Sequence, residues 1–83
     1  MEKADLLKPD DKVTITIFGP EGNSLFESTD NGYHTLDQAV NNAISKANLN
    51  IDPEDCVIEI TNHHTDVTHK YRINAHGHLK LIV

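Results

Sequence analysis

The chain is 83 residues long, enough for one domain, and a domain of that size buries only about 60 to 65% of the surface its unfolded form exposes, which excludes a large internal cavity. Its 13 acidic residues against 7 Lys and Arg give a formal charge of -6, which opposes attraction to nucleic-acid phosphate or anionic lipid unless a local basic patch reverses it. The single cysteine, Cys56, can form no disulfide within the chain, and no segment approaches the roughly 20 apolar residues of a bilayer span, so a soluble, cytoplasmic protein without membrane association is expected.

Residues 1–11 are charged, do not alternate and contain Pro9, and read as a flexible N-terminal arm; residues 12–83 read as a single domain. From Lys12 to Phe18 the chain alternates, with Val13, Ile15 and Ile17 on one face and Thr14, Thr16 and Phe18 on the other, as in a half-buried strand. Gly19, Pro20, Glu21, Gly22 and Asn23 reverse the chain into a second strand, Ser24 to Thr29, whose sparse apolar content and charge suit a sheet edge. After Asp30, Asn31 and Gly32 the period changes. Thr35 stands three residues before Gln38, the spacing of a capping box, and Leu36, Ala39, Val40, Ala43, Ile44 and Ala47 then fall on one helical stripe. Asn48 or Asn50 supplies the left-handed cap, and Pro53 prevents continuation.

The last third is constrained by its own side chains. A four-residue loop of His63, His64, Thr65 and Asp66 sets Ile60 against His69, Ile58 against Tyr71 and Cys56 against Ile73, and on the other face it pairs Glu59 with Lys70. A slip of one residue would oppose Ile58 to Lys70. A second loop of Ala75, His76 and Gly77 places Leu79 opposite Ile73 and Leu81 opposite Tyr71. The order β-β-α-β-β-β specifies a two-layer α+β fold, with one α-helix packed on one face of a four- to five-stranded, mainly antiparallel sheet. The helix is expected over Val13, Ile15, Ile17, Ile58, Ile60, Tyr71, Ile73, Leu79 and Leu81. Strand order 2-1-3-4-5 keeps sequential strands adjacent, and 2-1-5-4-3 hides the apolar last strand.

The uncovered face then carries the candidate binding residues: Phe18, Phe26, Lys70, Arg72, His78 and Lys80. Arg72 faces Lys80, with Lys70 and His78 beside them and Glu59 as the offsetting charge, a concentration of cations that suits an anionic partner. Phe18 and Phe26 meeting diagonally beside these cations would suit RNA or single-stranded DNA, in which bases stack on rings, although the acidic balance opposes it.

The 6 histidines raise metal binding. The ends of the fourth strand stand roughly 25 Å apart, so His63 and His64 cannot share an ion with His76 and His78; His63, His64 and His69 remain the weak candidates, without any familiar Cys/His spacing. Cys56 falls on the core face, where a thiol acts as a small hydrophobe, and no nucleophile, base and orienting group can be assembled, so no catalytic residue, cofactor or enzymatic activity is expected. The helix followed by a strand meander resembles, in topology over about half of the chain, double-stranded-RNA-binding and ribosome-associated small folds, without a diagnostic motif of either. The expected function is that of a small non-enzymatic binding or adaptor protein with a protein or anionic partner on the uncovered face or a sheet edge, forming a homodimer if the fifth strand lies at that edge.

Overall fold

The structure is a computed structural model that describes residues 11–74 and 78–82. Its elements are β1 (Val13–Phe18), β2 (Ser24–Asp30), α1 (Leu36–Ala47), a 3-10 turn (Pro53–Asp55), β3 (Val57–Asn62), β4 (Val67–Ile73) and β5 (Leu79–Leu81). The α+β fold class read from periodicity is the fold observed. The strands form one five-stranded sheet in the order β2-β1-β3-β4-β5, with every neighbouring pair antiparallel. Because β2 and β3 are both antiparallel to β1, they run in the same direction on either side of it, and α1 is the crossover between them.

Both C-terminal registers agree with the side-chain argument. Ile58 pairs with Tyr71, Glu59 with Lys70 and Ile60 with His69. Tyr71 pairs with Leu81, Arg72 with Lys80 and Ile73 with Leu79. The loop between β3 and β4 closes through Asp66 N–H donating to Asn62 O at 2.7 Å, with Asp66 in the left-handed region at φ 59. The expected loop of residues 75–77 lies outside the described residues, as does the expected arm except for Asp11, which is buried.

The helix is fixed at both ends by local chemistry. Thr35 is the N-cap: its Oγ1 accepts from Gln38 N–H at 3.1 Å, while Gln38 Oε1 accepts from His34 N–H at 2.9 Å, one residue earlier than a capping box requires. Asn48 ends it in the left-handed conformation at φ 51, which asparagine tolerates better than a branched residue would. Leu36, Ala39, Val40 and Ala43 bury the inner stripe against Val13, Ile15, Ile17, Ile58, Ile60, Tyr71 and Ile73. The helix approaches β1 and β2, whereas the 3-10 turn approaches β4. The far edge therefore goes uncovered: Leu79 still packs on the core, but Leu81, expected beneath the helix, is 55% exposed.

A polar clasp ties the helix to the end of β2. Asp30 accepts from Asn31 N–H at 2.9 Å, from Lys46 Nζ at 3.2 Å and from Tyr33 OH at 3.3 Å, and Asn42 Nδ2 donates to Tyr33 OH at 2.6 Å. The Asn31 amide and then the Lys46 ammonium hold the Asp30 carboxyl below its ordinary value of 3.8. A carboxyl depressed on folding contributes stability above its unfolded pKa and loses it as pH falls through the folded value. The stability gap between wild type and Asp30→Asn should therefore be present at neutral pH and shrink as pH falls below about 3.8, followed by urea midpoints; a gap independent of pH would contradict the clasp. Thr35→Ala should cost about 1 kcal/mol in the same assay, and Thr35→Ser should recover most of it.

Candidate functional site

β1 sorts the sheet into its two faces. With Val13, Ile15 and Ile17 buried, Thr14, Thr16 and Phe18 must point away from the helix, and the registers extend each of them into a row across the sheet. The first row is Thr29, Thr14, Thr61 and Thr68, in which Thr14 and Thr29 share a hydrogen bond at 2.8 Å and Thr61 and Thr68 share one at 2.7 Å. His63 joins this row at Thr14, with Nε2 at 2.6 Å from Thr14 Oγ1. The second row is Glu27, Thr16, Glu59 and Lys70. The third begins with Phe18 paired to Val57; continuing the β3–β4 register by one residue brings Arg72 beside Val57, with Lys80 opposite Arg72. The face is thus graded, with hydroxyls at one end and an apolar pair running into cations at the other.

Lys70, Arg72 and Lys80 are all exposed, and among the described residues none of them is held in an ion pair; the ion pair present, Lys46 to Asp30, belongs to the clasp. Lys70 has Glu59 beside it in register, whereas among the described residues Arg72 and Lys80 have no acidic residue opposite them in register. His78 is exposed just before β5, and its N–H donates to Asn74 Oδ1 at 3.0 Å.

Phe26 is not where alternation alone puts it. An unbroken hairpin register would carry Phe26 onto the face of Thr16 and Phe18, but a bulge between Ile17 and Phe18 shifts β2 by one residue and sets Phe26 opposite Ile17. Its ring packs on the core, and Leu25 is left 40% exposed. Burying the larger apolar group beneath the helix is the favourable choice. Phe18 consequently stands without the second ring of the expected stacking platform.

The histidine candidates diverge as well. His63 reaches Thr14 on the uncovered face, whereas His69, paired with Ile60, lies on the covered face with its ring edge-on to Tyr71 at 6.3 Å. His64 sits in the loop, its N–H donating to Asn62 Oδ1 at 2.8 Å. Among the described residues no group of three or more His, Cys, Asp or Glu is placed to hold a metal ion. Cys56 is fully buried, and desolvation followed by the nearby Asp55 and Asp52 charges raises its thiol pKa.

One element of the site was hidden in the turn. Phe18, Gly19, Pro20, Gly22, Val57 and Lys70 line a half-open pocket of about 290 Å³ at the apolar end of the third row. Its wall is formed by Gly19, Pro20 and Gly22 of the turn, held by Gly19 N–H donating to Asn23 O at 2.8 Å and Gly22 N–H donating to Gly19 O at 2.9 Å, with Gly22 at φ 86. Pro-Glu-Gly is a recognisable turn signal, but no local pattern places that turn beside Val57 and Lys70.

Among the described residues no helix is long and apolar enough to cross a membrane. Comparison with family models, with curated proteins and with solved structures gives no match to this chain.

Proposed function

We propose that this chain is a small non-enzymatic binding or adaptor protein that holds an acidic protein surface on its uncovered sheet face, in the cytoplasm, where Cys56 stays a thiol. The observation that supports this reading is Arg72 set directly against Lys80, both exposed, with Lys70 one alternation away. Like charges opposed across a ladder destabilise it, and carboxylates from a partner relieve that repulsion while gaining charge-assisted hydrogen bonds, two at once for the Arg72 guanidinium. On the uncovered face Glu27 lies in β2 whereas Arg72 and Lys80 lie in β4 and β5, so the face has a cationic side able to orient a partner although the chain as a whole is acidic. A glutamate-rich peptide should shift the amide resonances of β4 and β5, and its affinity should fall with added salt. Arg72→Glu with Lys80→Glu should weaken it by at least about tenfold without moving the thermal transition; unchanged affinity in that variant removes the reading.

A second reading, a homodimer through β5, is favoured by the ladder itself. Ile82 N–H donates to Lys70 O at 3.0 Å and Asn74 N–H to His78 O at 2.9 Å, so antiparallel alternation points the backbone groups of Leu79 and Leu81 away from β4 at the sheet edge. Leu81 and Ile82 are exposed there, at 55% and 43%. A symmetric pair centred on Lys80 would oppose two ammonium groups, whereas one centred on Leu81 sets Leu81 against its copy and Lys80 against Ile82. Sedimentation should reveal a dimer that grows with concentration and is lost in Leu81→Lys; a monomer at every concentration ends this reading.

A further inference from the structure

We infer that the pocket beside Lys70 is the anchor point of the cationic face, and that it takes one aromatic or branched aliphatic side chain from an acidic peptide segment whose neighbouring carboxylates rest on Lys70 and Arg72. This deepens the proposal that the face binds an acidic protein, and rests on it.

The pocket has an apolar floor, because Phe18 and Val57 are paired in register, and an apolar rim in Pro20. Its volume of about 290 Å³ is ample for one ring, since a cavity near 150 Å³ already accepts benzene, and it stands at the lower limit of the roughly 300–1,000 Å³ pockets that enclose whole drug-sized ligands. A single side chain is therefore the unit that fits.

The wall is also set before any ligand arrives. Two backbone hydrogen bonds close the loop, and a Cβ on Gly19 would come within 3.1 Å of Asn23 Oδ1 and 3.3 Å of the Leu25 side chain, so the hairpin is tightly packed at the point where the wall begins. A preformed wall spares the ordering cost that a mobile loop would add to binding.

Charge selects the occupant's neighbours. Among the described residues Lys70 is the one charged residue lining the pocket, Arg72 follows on the same face beside Val57, and Lys80 lies across from Arg72. Glu59 offsets Lys70 from the row side, leaving the excess positive charge at the third row, where the pocket opens. An apolar side chain flanked by carboxylates matches both features at once, whereas a uniformly acidic chain uses the cations and leaves the pocket empty.

Two peptides of the same charge separate these outcomes on the full chain: acetyl-Glu-Glu-Phe-Glu-Glu-amide and its alanine counterpart, titrated while backbone amide resonances are followed. The phenylalanine peptide should bind at least about tenfold tighter and shift Phe18, Gly22 and Val57, which the alanine peptide leaves in place. Val57→Trp, which fills the pocket from its floor, should bring the two peptides to equal affinity. Should that variant fold poorly, Phe18→Ala, which strips the floor, provides the same comparison. Equal affinity of the two peptides for the wild-type chain overturns the pocket assignment and leaves the cationic face standing. Failure of both peptides to shift β4 and β5 overturns the face and the pocket together.

Discussion

β1 is paired on both sides, and that double pairing governs the molecule. Val13, Ile15 and Ile17 meet Asp30, Ser28 and Phe26 of β2 on one side and Asn62, Ile60 and Ile58 of β3 on the other, beneath a helix whose inner stripe is mostly alanine, valine and leucine. Since side chains on a strand alternate strictly, burying these three commits Thr14, Thr16 and Phe18 to the opposite face, and the ladders carry that commitment to the sheet edges. The helix contributes a single apolar stripe, so the face it leaves is open by construction.

An open face need not be featureless. Threonines paired through their hydroxyls satisfy one another at the end marked by His63, and that end looks like an ordinary wet sheet surface. The opposite end combines Phe18, Val57 and the Pro20 rim with Lys70, Arg72 and Lys80. Apolar surface beside cations is useful against a partner, because burying the apolar atoms is favourable and lowers the dielectric around the charges, which strengthens their pairing.

How far the architecture could be read before the coordinates depends on how many constraints met at each place. The β3–β4 register was legible because two independent facts agreed, the alignment of Ile58 with Tyr71 on one face and of Glu59 with Lys70 on the other. The helix ends were legible because capping chemistry is local: Thr35, Gln38 and Asn48 act within a few residues of themselves. Phe26 was not, since alternation assumes an unbroken ladder, and whether a bulge moves the ring inward depends on space beneath the helix that no local pattern records. Leu81 failed for a related reason. Its register was right, but how far α1 reaches across the sheet follows from three-dimensional packing, and α1 stops short of β5.

The same bulge that withdrew Phe26 from the face also shaped what remained there. Had the hairpin stayed in register, Phe26 would sit beside Thr16, and the face would present two rings suited to stacking flat bases. The shift replaces that pair with one ring, a neighbouring valine and the wall of a tight turn, which is a concave surface instead of a platform. Concavity favours an inserted side chain over a stacked plane of bases. The proposed partner follows from that shape and from the local cations: the pocket lodges one apolar residue, and Lys70, Arg72 and Lys80 take the carboxylates beside it.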